Sequence, residues 1–283
     1  MTPTTGYREE AKHARRHRNL VPPPRVSRRR RGDAERPVRR CRGSHAAARR
    51  QRRRDARPGH GGTVNPLDTL PDEIGGWPRT PVTEAAVAFA AEHSPAYLLN
   101  HCIRSFFYAR SIAATRNLVA GTDYDDETLF LATVLHDIGL TDEGHGPNRF
   151  EVDGAFRAAR FARDHGLSDA TADLLWDAVA LHTSTGIAVH KQPVVALTHL
   201  GIGADIFGFG AEEVDRAVLD AAHSAFPWLD LRERILETVV HQIDEQPSKW
   251  APVSFVDAAY RRLRPDNPFP GLDEFCAAPA VPD

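Results

Sequence analysis

The chain has 283 residues, 41% of them hydrophobic, which is enough to bury a sizeable core, and its formal charge is −2. That near-neutral total hides two regions of opposite sign: residues 1 to 60 hold 20 of the 36 basic and five of the 38 acidic residues, or +15, which leaves −17 on the remainder. The sequence shows no signal-peptide core and no apolar run of roughly 18 residues, and its three cysteines form no CxxC pair, so the expectation is a cytoplasmic protein without a thiolate zinc site.

Residues 1 to 63, with runs such as RRRRGDAERPVRRCRGS, carry too little Leu, Ile or Phe to offset chain entropy, and disorder is expected there. An arm of this kind binds nucleic acid or anionic surfaces non-specifically. No aromatics interleave with its arginines, so the plainer readings are preferred: a non-functional tail, or translated upstream sequence with the true start near Val64. The expected division is a folded domain over 64 to 265 and a loosely packed tail over 266 to 283.

After the Pro/Gly-rich lead-in NPLDTLPDEIGGWPRTP, nearly every segment has helical period. The pattern predicts helices at about 83 to 92, 95 to 117, 125 to 138, 150 to 165, 169 to 183, 193 to 206, 211 to 225, 230 to 246 and 254 to 263. Gly166, Pro227 and Pro247 fall where three of them should stop. No convincing alternating stretch or hairpin dipeptide appears, so the fold class is all-α.

Helical spacing shows which side chains share a face. In the helix closing on LHDIG, His136 lies on the apolar line of Leu129, Ala132 and Thr133, and Asp137 points about 100° away, so both reach one point over the helix end. Gly139 is expected to end that helix where a side chain would crowd the site. In the preceding helix His101 shares a face with Arg104, Ser105 and Tyr108, a polar stripe whose burial implies a lined cavity or a bound ion. Asp205 sits on the apolar line of Val194, Leu197, Thr198 and Ile202, while Gly201 and Gly203 suggest close approach of a helix or ligand. Two imidazoles and two carboxylates are a borderline donor set for Zn, Fe, Mn, Co or Ni, which lowers the pKa of a bound water and supplies hydroxide at neutral pH.

Other stretches converge on the same place. Glu151 lies on a strip of small residues (Gly154, Ala155, Ala158), and His182 lies on a line with Leu175, Ala178 and Val179; both are candidates for proton transfer or substrate positioning. Arg104 is a candidate to hold a carboxylate ligand or an anionic substrate. Thr141 and Asp142 are weaker candidates, with helix capping as the plain alternative. Asp177 and Asp220 remain alternatives to Asp205. His145, His165, His190, His199, His223 and His241 read as structural or exposed, and Cys102 as a small core residue pointing away from the site.

Taken together, His101, then His136 and Asp137 after 35 positions, then Asp205 a further 68 on, resemble the H…HD…D signature of the HD superfamily of metal-dependent hydrolases. The words LHDIGLT, FEVDGA and ALHTS resemble its cyanamide hydratase branch over roughly residues 80 to 245. The resemblance implies a helical bundle of about eight or nine helices and one divalent metal, zinc before the other candidates, held by His101, His136, Asp137 and Asp205. It implies hydration of a small nitrile-type molecule, with Asp137, Glu151, His182 and Arg104 as catalytic candidates. The rival expectations are a phosphohydrolase, in which Arg104 and Lys191 offset phosphate charge, and a metal-containing binding module without catalysis.

Overall fold

In a computed structural model, which describes residues 67–277, the chain is helical throughout, with an isolated bridge between Ala120 and Tyr124. The expectations for residues 1 to 63, and the boundary at Val64, fall outside the described residues. Ten α-helices follow one another: α1 Pro81–His93, α2 Ala96–Thr115, α3 Asp126–Leu135, α4 Phe150–Asp164, α5 Asp169–Leu181, α6 Pro193–Phe207, α7 Arg216–Ala225, α8 Leu231–Glu245, α9 Phe255–Leu263 and α10 Leu272–Ala277. None of the described helices is long and apolar enough to cross a membrane.

The helix starts follow local chemistry. Thr80 and Thr83 cap α1 reciprocally with Pro81 at its first position, Asp125 accepts from the backbone of Thr128 at 2.8 Å before α3, and Ser168 and Ser254 do the same for α5 and α9. α6 begins on Pro193 and stops at Gly208, whose φ of 77° is the left-handed conformation that glycine adopts without strain.

Three segments differ from the sequence expectation. The segment expected as one helix over 211 to 225 is a 3₁₀ turn, Ala211–Glu213, followed by α7, because the side chain of Asp215 caps a new start by accepting from Ala217 at 2.7 Å. The tail, expected to pack loosely after 265, carries the short helix α10. The helix expected to run to 138 ends at Leu135, and Ile138–Leu140 is a 3₁₀ turn, so the HD pair sits on the bend between them.

α3 is the most deeply buried of the described helices. Leu129, Phe130, Leu131, Ala132 and Leu135 are all fully buried, as expected of a helix that is apolar on every side. Each such Leu or Phe contributes roughly 1.5–3 kcal/mol by leaving water. One core joins α1 to α6; a second joins Tyr97, Leu98, Phe150, Ile202 and Ile206 to α8 and α9. α2 and α6 pack closely because Gly201 lies against α2: a Cβ there would stand 2.3 Å from the carbonyl oxygen of Ser105. Gly203 has no such neighbour within 3.8 Å.

Candidate metal centre

His101 comes from the middle of α2, where burial within the helix pair α2 and α6 holds its ring. His136 and His182 have a common local design: each is the residue after the last turn of a helix, α3 and α5, and each ring Nδ1 turns back onto a carbonyl of that turn. His136 Nδ1 lies 2.7 Å from the oxygen of Thr133, and His182 Nδ1 lies 2.6 Å from that of Val179. Both acceptors are carbonyls of a helix's last turn, and a carbonyl only accepts, so Nδ1 carries the hydrogen in both rings. His101 Nδ1 is fixed the same way by the Asp205 carboxylate at 2.6 Å.

In the neutral form each ring is thereby left with a bare Nε2, and the three nitrogens surround Asp137. His136 Nε2 is 3.2 Å from Asp137 Oδ2 and 3.2 Å from His101 Nε2; His101 Nε2 is 3.8 Å from the same oxygen. His182 Nε2 stands 3.7 Å from the other oxygen, Oδ1. Two lone pairs in contact repel unless a positive charge lies between them. The protonation preferences agree: burial disfavours a charged His136, but the Asp137 carboxylate and Cys102 together outweigh it and lift that imidazole well above its ordinary pKa. Burial raises the Asp137 pKa less than the surrounding imidazoles lower it, so it stays well below the carboxylate range. Burial and the nearby His136 push His182 down to about 4. His101, His136 and Asp137 offer ligand atoms within 4.8 Å of one another that could hold a metal ion.

Asp205, expected among the ligands, faces the opposite nitrogen of His101. Its carboxylate also accepts a bidentate pair from Arg104 Nε and Nη2, both at 2.7 Å, and its pKa is lowered because these hydrogen bonds outweigh burial. It therefore orients and polarises His101 from behind. Asp177 and Asp220, the alternatives, are surface partners of Lys191 and Arg216. Arg104 is fully buried and turned away from Asp137; besides Asp205 it donates to the carbonyls of Phe226 and Pro227 at 2.6 and 3.3 Å.

Glu151 is brought alongside His182. It is fully buried, paired with Arg149 at 2.6 Å and accepting from Thr183 at 2.8 Å. Thr141 closes a turn by donating to the oxygen of Ile138 at 2.7 Å, and Asp142 is exposed. Cys102, expected to point elsewhere, lies close enough to interact with His136, and burial raises its thiol pKa. Gly139 does not guard the metal position: a Cβ there would meet the carbonyl oxygen of Phe150 at 2.0 Å, so its role is to let the start of α4 approach the HD turn. Sequence reasoning missed Arg149, Thr183 and His199, whose Nδ1 lies 2.7 Å from the backbone oxygen of His182. Thr183 adjoins His182 in sequence, which was the available signal; the position of Arg149, two before Glu151, carries none by itself.

A family model described as the HD domain matches residues 98–194, a span that holds His101, His136, Asp137, Glu151 and His182. Over that span the chain is similar to the HD domain. It is also similar to the cyanamide hydratases DDI2 and DDI3 of Saccharomyces cerevisiae, each 27% identical to it over 175 residues, 57% of this chain and 73% of theirs.

Proposed function

We propose that the protein is a metal-dependent enzyme that adds water to a small, uncharged, nitrile-type molecule, with cyanamide as the first candidate. The observation that carries this reading is the convergence of three tautomer-fixed imidazoles on the two oxygens of Asp137. His101, His136 and Asp137 would hold the ion, with Asp205 behind His101. When bound, a divalent metal lowers the pKa of a coordinated water towards about 7 and so supplies a nucleophile at neutral pH.

The remaining groups then have separate tasks. His182 Nε2, with Nδ1 already committed to Val179, accepts the proton that leaves the water and returns it to the nitrile nitrogen. A carbon–oxygen bond forms, one carbon–nitrogen π bond breaks, and the net change is addition of one water. Glu151, held by Arg149 and Thr183, favours the positive charge that His182 carries between the two transfers. The aromatic ring of Phe150, 5.6 Å from that of His182, gives the nearby wall an apolar character suited to a neutral substrate.

The phosphohydrolase reading draws less support. Arg104 is committed to Asp205 and to backbone carbonyls, and Lys191 is paired with Asp177 at 2.6 Å, so neither of the cations assigned to phosphate faces the cluster. The test is an assay of the purified chain loaded with Zn, Mn, Fe or Ni against cyanamide, simple nitriles and a nucleotide panel. Conversion of cyanamide to urea is expected. Phosphate release alone would replace this reading with the phosphohydrolase one, and tight metal without turnover would leave a binding module.

A further inference from the structure

On the 3₁₀ turn that follows α8, Lys249 is as deeply buried as the core leucines, at 1% exposure. Its Nζ donates to Asp153 Oδ2 at 2.9 Å and to Gln242 Oε1 at 3.3 Å. Asp153, on α4, also accepts from the backbone of Gly146 at 3.0 Å and of Asn148 at 3.1 Å, and from the Asn148 side chain at 3.0 Å. Gln242, on α8, passes the network on: its Nε2 donates to the carbonyl oxygen of Gly139 at 2.9 Å. Gly139 is two residues beyond Asp137, on the turn where the chain has already left α3.

A buried ion pair of this kind is a poor source of stability, since desolvation offsets most of its attraction and apolar side chains of similar size do as well. What it supplies is position. The HD turn is pressed on one side by α4, through the close approach of Gly139 to Phe150, and its outward carbonyl would otherwise be an orphan in the core. Lys249 fixes the orientation of the Gln242 amide by occupying its oxygen, which leaves the amide N–H for Gly139. Both residues lie outside the span matched by the HD domain model.

We infer that Gln242, oriented by Lys249 and Asp153, is a positioning residue for the metal centre: it sets the His136–Gly139 turn and thereby the direction of the Asp137 carboxylate. This rests on the reading of His101, His136 and Asp137 as metal ligands. The test compares Gln242→Met, which removes the donor to Gly139 at nearly constant volume, with Ile243→Val, a core truncation on the same helix. For each, Co²⁺ affinity is measured by competition titration, the Co²⁺ visible absorption is recorded, and stability of the metal-free protein is followed in urea.

Gln242→Met is expected to weaken Co²⁺ binding about 10- to 100-fold, in the range typical of groups that orient metal ligands, and to shift the absorption bands. Ile243→Val is expected to lower stability and leave both metal readouts unchanged. Unchanged affinity and spectrum in Gln242→Met would overturn the inference while leaving the ligand reading intact. Equal metal effects in Ile243→Val would also overturn it, by assigning them to general loosening. Absence of Co²⁺ binding by the unsubstituted protein would overturn both readings.

Discussion

Asp205 meets His101 at Nδ1, not at the nitrogen that faces Asp137, and the 2.6 Å contact makes the pair a carboxylate–imidazole unit aimed into the cluster. Arg104 clamps the same carboxylate from the other side, so the outer face of the centre is an ion pair closed off from water. The inner face is left to the three Nε2 atoms and the two oxygens of Asp137. This division of labour orders the predictions.

Replacing Arg104 strands a buried carboxylate. Arg104→Met is expected to cost about 3–5 kcal/mol, the usual penalty for removing one partner of a buried pair. Arg104→Lys should recover little, because a single ammonium cannot reproduce both the fork on Asp205 and the contacts to the Phe226 and Pro227 carbonyls. Urea denaturation of the metal-free variants measures this, and a loss below about 1 kcal/mol would show that the clamp is not energetically coupled to the fold.

His136→Ala is expected to reduce bound metal to background and abolish turnover, because it removes the nitrogen closest to both His101 Nε2 and Asp137 Oδ2. Metal analysis of the purified variant decides the point. Retention of metal together with full activity would remove the site assignment as a whole.

His182→Ala separates holding the ion from moving the proton. Its Nε2 approaches only the second oxygen of Asp137, so the variant is expected to keep its metal while kcat falls by about 10²–10⁴, the range for a lost proton-transfer group. Loss of metal in parallel with kcat would instead make His182 a ligand.

Metal removal is expected to lower thermal stability. An ion present at about 1,000 times its Kd stabilises the folded state by about 4 kcal/mol, and at about 2–4 °C per kcal/mol for a domain of this size, excess chelator should lower Tm by about 8–16 °C. Calorimetry with and without chelator tests it; identical transitions would mean that the native state binds no metal.

Two glycines give a matched contrast. Gly139→Ala forces a Cβ to within 2.0 Å of the Phe150 carbonyl, and is expected to cost about 1–3 kcal/mol and to displace the start of α4, with Glu151 on it. Gly203→Ala meets nothing closer than 3.8 Å within a helix, and is expected to stabilise by up to about 1 kcal/mol. Melting curves of the two variants should move in opposite directions.

The helices and the inward faces of His101, His136 and Asp205 were legible in the sequence, because a helix's core-facing stripe repeats at a fixed spacing and caps such as Asp125 and Ser168 mark its starts. The pairing of His136 with Asp137 was legible for the same reason: adjacent residues at a helix end cannot be far apart. Arg149 was less so, since nothing in its spacing tells an exposed arginine from one reaching two positions along to a buried glutamate.

Sequence alone therefore determined the fold class and the placing of His101, His136 and Asp137 on buried helix faces and ends, all of which depend on local periodicity. Which nitrogen of each ring faces inward, which atom of His101 Asp205 meets, and what Gly139 makes room for were decided only by tertiary structure. Those outcomes depend on where a carbonyl, a guanidinium or a neighbouring helix arrives from a distant part of the chain. Thr133 and Val179 set two of the tautomers locally, but Asp205, 104 residues from His101, sets the third.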